Sequence, residues 1–406
     1  MEIKEIAGGV CAPKGFLAAG VHCGIRKSRT KKDLALIVSE KRAAAAAVYT
    51  QNLVTGAPLA VTKAHLKDGY AQAIICNSGN ANTCNPGGEA VAEETCALLQ
   101  EASGIAAQDV VVASTGVIGQ PLDLAPIAAG ITPLVQALSS AGSGDASEAI
   151  LTTDTVKKEI AVEFDVGGKT CRMGGIAKGS GMIHPNMATM LVFVTTDAAI
   201  SPQMLQQALS EDVKSTFNMI SVDGDTSTND MVAVLANGMA ENPAIDGPGE
   251  GYEAFCKALN AVTTHLCIAI AKDGEGATKL LTVRVSGGKD QENARKVAKA
   301  VACSNLFKAA MFGADANWGR ALCAIGYSGA QVDVEAVKLA FCSKAGSVLV
   351  CEQGRGVAFS EDLAKQVLSE DEIVVEIGLG DGAAQATAWG CDLTYDYVKI
   401  NGDYRT

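Results

Sequence analysis

The chain has 406 residues, 48% of them apolar, and carries 45 acidic against 33 basic residues for a formal net charge of −12. That length exceeds what a single core usually serves, so two lobes are expected. The acidic balance, with no basic cluster interleaved with aromatics, argues against nucleic acid and anionic membrane as partners.

Taken in chain order, the first residues lack the basic-then-apolar layout of a signal peptide. Leu34–Val38, Ala73–Cys76 and Val110–Val112 read as strands, joined by Gly- and Ala-rich connections. Residues 125–150 hold helical pieces, and Glu159–Phe164 is another strand. Met190–Val194 is an apolar run of the buried-strand kind. Ser201 and Pro202 open a helix to about Thr216, serine as N-cap and proline in the first turn. Further helices are expected over Tyr252–His265 and Gln291–Cys303 and from a Ser360 cap, with strands at Leu280–Val285 and Ile373–Ile377. The order is α+β, mixed sheets packed with helices, rather than strict βαβ repetition. No apolar stretch approaches the ~20 residues that span a bilayer.

Thirteen cysteines without a C-x-x-C pair point to buried, reduced thiols rather than a disulfide framework, and hence to a cytoplasmic protein. Four histidines (His22, His65, His184, His265) without ligand spacing argue against a metal site. Gly167-Gly168-Lys169-Thr170 lacks the first glycine of a phosphate-binding loop, since Glu163 stands there, and reads as a hairpin turn. Gly378-Leu379-Gly380-Asp381-Gly382-Ala383 fits G-x-G-x-x-A, but strand-like alternation follows where a dinucleotide fold needs a helix; a second hairpin is expected. Asn77–Asn82, Ser114–Gly119 and Gly313–Arg320 are expected to be loops of small polar residues, either ordinary turns or places where amides face a ligand.

One segment carries distinctive chemistry. Lys178-Gly179-Ser180-Gly181-Met182-Ile183-His184-Pro185-Asn186-Met187-Ala188 leads into Thr189 at the start of the 190–194 run. Cleavage of the Ala188–Thr189 bond would give Thr189 a free α-amine beside its own hydroxyl. Such an amine, with a reference pKa of about 7.7–8.0, can serve as base for that hydroxyl.

The same segment resembles the self-cleavage motif of the ornithine acetyltransferases, also called glutamate N-acetyltransferases. Ser114–Gly119, Thr152-Thr153-Asp154-Thr155, Asp273–Lys279 and the terminal Cys391–Val398 with Asn401 and Tyr404-Arg405-Thr406 match other family motifs in order, so the resemblance runs from about residue 10 to the end. His184 occupies a variable position of the motif. The resemblance implies a two-lobed α+β fold like that of these enzymes and of DmpA-like aminopeptidases, cleaved into an α chain, 1–188, and a β chain, 189–406. It implies Thr189 as nucleophile, and Thr115 (hydroxyl) with Gly116 (backbone N–H) as oxyanion hole. It further implies Lys178, Glu275, Asn401, Thr406 and Thr152 as substrate contacts, with Thr153 an alternative to Thr152. Lys178 would hold an α-carboxylate, and Glu275 would meet the ornithine ammonium. The implied reaction carries acetyl from N2-acetyl-L-ornithine to L-glutamate through an acetyl-threonine, in the cyclic route of arginine biosynthesis. It needs no cofactor or metal, although some family members also accept acetyl-CoA as donor. An (αβ)2 heterotetramer is the implied assembly. Two other readings share parts of the pattern: an N-terminal-nucleophile aminopeptidase or amidohydrolase, which passes the acyl group to water, and a non-enzymatic binding protein, which stays uncleaved.

Overall fold

The structure is a computed structural model that describes residues 3–28, 30–184 and 190–402. They form two compact units. One holds residues 3–28, 30–179, 190–214 and 226–266; the other holds 180–184, 215–225 and 267–402.

Among the described residues, the first unit is built on a nine-stranded mixed sheet. Its order is Lys4–Ile6, Lys158–Val166, Lys169–Lys178, Leu191–Thr196, Met231–Ala236, Leu34–Tyr49, Tyr70–Asn80 and Val110–Val117, with Phe16–Val21 also pairing with Leu34–Tyr49. Two pairings are parallel, Leu191–Thr196 with Met231–Ala236 and Tyr70–Asn80 with Val110–Val117. The sequence dictates burial on both faces. Leu34, Leu36, Val38, Ala73, Ile75, Val110 and Val112 pack under the helices Gly88–Ser103 and Leu124–Gln136. The alternate residues Ala35, Ile37, Ile74, Cys76, Val111 and Ala113 join a second core with Leu191, Phe193 and Ala146. Alternation without a polar face is the mark of a sheet covered on both sides. The expected Gly167–Gly168 turn is present: Val166 pairs with Lys169, and both glycines have left-handed φ, +61° and +80°.

In the second unit a seven-stranded sheet runs Arg355–Gly356, Gly346–Glu352, Lys338–Ser343, Glu372–Gly378, Leu280–Gly288, Ala384–Cys391, Ile220–Ser221. The helix Gln291–Cys303 covers it, burying Ala294, Val297, Ala298 and Val301 at helical spacing, with the Asp290 carboxylate capping the Asn293 amide. Two mixed sheets with packed helices are the α+β class expected.

Several boundaries differ from expectation. The strands on either side of Gly378–Ala383 do not pair with each other; both flank Leu280–Gly288, so the segment is a crossover and not a hairpin. It clears that strand's end because Gly382 is glycine: a Cβ there would lie 2.3 Å from the Gly288 carbonyl oxygen. The Ser201-capped helix ends at Asp212, short of Thr216. The helix from Glu250 reaches Lys272. It has the length and composition of a membrane span, yet Phe255, Ala258, Leu259, Val262, Leu266 and Ile270 on it are fully buried in the protein. The segments after Cys76 and Ala113 are not loops from their first residue: the strands run on to Asn80 and Val117. The thirteen cysteines are unpaired, although Cys84 and Cys323 are exposed rather than buried.

Candidate active site

In the first unit, the parallel strands Tyr70–Asn80 and Val110–Val117 end side by side, Ser78 opposite Thr115 and Gly79 opposite Gly116. Thr115 is buried, and its hydroxyl has no hydrogen-bond partner among the described residues. Gly116 has φ +133°, and a Cβ on it would lie 2.3–2.6 Å from the backbone of Gly79 and Asn80. The strand end is held by side chains. The Ser114 hydroxyl donates to Asn77 Oδ1 at 2.6 Å, and Asn229 Nδ2 donates to the carbonyls of Ala81 and Ser114.

Lys178 ends its strand opposite Leu191, nearly buried. Two buried carboxylates feel its charge. Asp154 receives Lys158 Nζ at 2.7 Å, the Gly179 amide at 2.7 Å and the Thr152 amide at 3.0 Å. Burial pushes the Asp154 carboxyl upward, but the ammoniums of Lys178 and Lys158 outweigh it and hold it down at about 2. Thr152 and Lys178 are thus joined through Asp154. The second carboxylate, Asp230, is raised well above the usual range by burial, against the pull of the Ser227 hydroxyl and Lys178. Its Oδ2 has no partner. Asp230 directly precedes Met231, whose amide donates to the Met190 carbonyl at 2.9 Å.

In the second unit, Asn401 Nδ2 donates to Glu275 Oε2 at 2.7 Å. The described residues 180–184 are pinned there. The Glu275 amide donates to the Ser180 carbonyl, and the Asp223 carboxylate accepts the amides of Met182 and Ile183 at 2.6 and 2.9 Å. A Cβ on Gly181 would lie 2.3 Å from the Glu275 carboxyl carbon, so only glycine lets the segment pass. Tyr397 donates to Asp223 at 3.2 Å. His184 lies 3.2 Å from the Ser221 hydroxyl and 3.4 Å from the Cys303 sulfur. Burial, aided by the Lys299 charge, lowers its imidazole to about 4, so it is neutral at physiological pH.

Thr115 with Gly116, Thr152 with Lys178, and Glu275 with Asn401 therefore form three local groupings. Ala188, Thr189 and Thr406 lie outside the described residues. Sequence reasoning passed over Asp223, Asn229 and Asp230. Their one signal is a polar run, Asp223-Gly224-Asp225-Thr226-Ser227-Thr228-Asn229-Asp230, placed directly before the apolar strand Met231–Ala236. Among the described residues, no group of three or more His, Cys, Asp or Glu could hold a metal ion.

The first unit thus offers an unpartnered hydroxyl beside a glycine of left-handed φ and a nearly buried ammonium, groups suited to carbonyl chemistry, and the second unit offers a buried carboxylate. The ArgJ family model matches residues 17–406. The arginine biosynthesis bifunctional protein ArgJ of Symbiobacterium thermophilum is 54% identical over 406 residues, covering all of both chains. Its namesake from Bacillus subtilis is 49% identical over 409 residues, covering 100% of this chain and 98% of that protein. A crystal structure of ornithine acetyltransferase complexed with ornithine, from Mycobacterium tuberculosis, is 36% identical over 46% of this chain and 100% of the matched chain, with a TM-score of 0.43. Identity of 54% over the whole chain, with the family model matching residues 17–406, makes this protein a member of the ArgJ family, the acetyltransferases of arginine biosynthesis.

Proposed function

We propose that the chain cleaves itself between Ala188 and Thr189, and that Thr189 then carries acetyl from N2-acetyl-L-ornithine to L-glutamate. The observation that carries this reading is Thr115: at its strand end, beside Gly116, its hydroxyl makes no hydrogen bond among the described residues. A fixed donor that the fold leaves unengaged can meet a partner that appears during turnover. A tetrahedral oxyanion is such a partner, and a donor of this kind lowers the barrier by about 2.7–4 kcal/mol.

The steps follow from the residues. The Thr189 hydroxyl attacks the acetyl carbonyl while its own α-amine takes the proton. Thr115 and the Gly116 N–H stabilise the oxyanion, and ornithine leaves. Glutamate enters the same site and takes the acetyl group by the reverse sequence, so one covalent intermediate divides the exchange into two matched halves. Lys178 receives an α-carboxylate, with Thr152 nearby through Asp154. Glu275, oriented by Asn401, receives the ornithine ammonium, and Thr406 completes the substrate contacts. Following the bifunctional relatives, acetyl-CoA serves as a second acetyl donor. The working form is a cytoplasmic (αβ)2 assembly of chains 1–188 and 189–406.

Intact mass spectrometry tests the reading. Purified enzyme should give the two chains, and incubation with acetylornithine alone should add one acetyl group to the 189–406 chain. Thr189→Ala should stay whole and inactive. An uncleaved chain with full activity would overturn the reading, and acetate release without glutamate would favour the hydrolase.

A further inference from the structure

We infer that Asp230 is a second anchor for the α-carboxylate of the substrate: its unengaged oxygen, Oδ2, donates a hydrogen bond to that carboxylate beside the Lys178 ammonium. The inference deepens the reading just given and rests on it, since it concerns the amino-acid site of the same reaction.

Three observations carry it. The first is the oxygen itself. Asp230 is 3% exposed, and its Oδ2 is buried without a hydrogen-bond partner. The rest of the residue is engaged. Its carbonyl accepts the Thr50 amide at 3.0 Å, and the Ser227 hydroxyl donates to its carboxyl. Buried polar atoms nearly always find a partner, so an unsatisfied one calls for a group that arrives with a ligand.

The second is position. Lys178 pairs with Leu191, and Leu191 with Met231, so the three form one row across adjacent strands. At the usual strand spacing the main chains at the two ends of this row are about 10 Å apart. Asp230 directly precedes Met231, and the Lys178 charge reaches its carboxyl. The acid and the ammonium therefore belong to the same edge of the sheet.

The third is charge. Lys158 and Lys178 both act on one ionised carboxylate, Asp154, which receives Lys158 Nζ at 2.7 Å. Lys178 makes no ion pair or hydrogen bond of its own among the described residues, although it is nearly buried. Two ammoniums against one carboxylate leave one positive charge over. Asp230 does not cancel it, because burial outweighs the Ser227 hydroxyl and Lys178 and keeps its carboxyl protonated well above the usual range.

The ammonium thus lacks an anion, and the acid beside it lacks an acceptor. One carboxylate supplies both needs: an oxygen for Lys178, and an oxygen to accept the Asp230 O–H. Such O–H···O⁻ bonds are short and roughly twice as strong as neutral ones. An ionised Asp230 would instead neutralise Lys178 and repel the ligand. Acetylornithine and glutamate each carry an α-carboxylate, so Asp230 serves both half-reactions.

The test compares two donors for the cleaved enzyme with glutamate as acceptor: N2-acetylornithine, and N-acetyl-1,4-diaminobutane, which is the same molecule without its carboxylate. Asp230→Ala should lower kcat/KM for acetylornithine by about ten- to a hundredfold, the loss of one charge-assisted hydrogen bond, and change that for the diaminobutane donor by less than about threefold. It should lower kcat/KM for glutamate as well. Asp230→Asn keeps a donor in the same place, so it should hold acetylornithine within about fivefold of wild type. Equal losses for the two donors would mark a purely structural role and overturn the inference, as would an Asn variant as impaired as Ala. If Asp230→Ala fails to fold or to cleave, Asp230→Leu replaces it. Infrared difference spectra of the wild type then give an independent reading. A protonated-carboxyl C=O band should shift when ornithine is added and be missing from Asp230→Asn; no shift overturns the inference. Acetyl labelling of the 189–406 chain is followed in parallel. Its absence from the wild type sinks the reading and the inference together, whereas equal losses with the wild-type label intact sink the Asp230 anchor alone.

Discussion

Asn229 donates to the Ser114 carbonyl at 3.0 Å, one residue before Thr115. Its other amide hydrogen goes to the Ala81 carbonyl, and its Oδ1 accepts the hydroxyls of Thr83 and Thr228, both at 2.6 Å. Two donors and two acceptor sites are all that a carboxamide has, so this buried side chain is saturated. It fixes the backbone on which Thr115 and Gly116 are displayed.

Asn229→Asp keeps the shape but sets an oxygen against carbonyls that need a donor. Each buried group left unpaired costs about 1–3 kcal/mol. Stability should fall by that order. The kcat should drop by about tenfold or more, each ~1.4 kcal/mol being tenfold, with KM near the wild-type value. Steady-state kinetics on folded variant decides it: an unchanged kcat would show that Asn229 serves the fold alone.

Thr115 and Gly116 call for different experiments. Gly116→Ala adds a Cβ that meets the backbone of Gly79 and Asn80 at a φ of +133°, so it should misfold or lose stability whatever its role in catalysis. Thr115→Ala removes a hydroxyl that holds nothing among the described residues. It should therefore fold with a Tm close to wild type and lose about 10²–10³ in kcat, with little change in KM. A variant impaired only in KM would move Thr115 from oxyanion stabilisation to substrate binding.

Asp154 sets a stability limb at low pH. Its folded pKa of about 2 lies below the unfolded value near ~3.9. The resulting stability is present above the unfolded pKa and is lost as pH falls through about 2. Asp154→Asn should flatten that limb. It should also cost about 3–5 kcal/mol near neutrality, because the buried Lys158 ammonium loses its carboxylate. Urea unfolding of both proteins between pH 2 and 6 measures this; parallel curves would refute it.

What could be read from the sequence depended on how local the signal was. The Ser201 and Ser360 caps, the Gly167–Gly168 turn and the Gln291–Cys303 helix were legible because a few adjacent residues determine each. The Gly378–Ala383 crossover was not, because Leu280–Gly288, almost a hundred positions earlier, intervenes between the strands it joins. The α+β class followed from element order, whereas the pairing of Lys169–Lys178 with Leu191–Thr196 did not. The site residues came from family motifs, and nothing in spacing alone joins Thr152 to Lys178. Asn229 and Asp223 stayed hidden for the same reason: they act on backbone groups over thirty residues away in the chain, and backbone carries no mark of its neighbours in sequence.

The Glu275–Asn401 bond separates substrate recognition from architecture within the second unit. Glu275 is buried, accepts Asn401 Nδ2 at 2.7 Å, and faces Gly181 so closely that no side chain fits between them. If Glu275 receives the ornithine ammonium, Glu275→Gln should raise KM for acetylornithine strongly and KM for glutamate less, since glutamate brings no side-chain cation. Asn401→Ala should raise the same KM by a smaller factor, because it removes the orienting donor and leaves the carboxylate. The two substitutions act on one interaction, so the double variant should fall short of the product of the single effects, with a coupling of about 0.5–3 kcal/mol. Measuring both Michaelis constants for the four proteins completes the cycle. Strict additivity would mean that Asn401 contacts substrate independently of Glu275. Equal effects on acetylornithine and glutamate would mean that Glu275 does not read the cationic side chain at all.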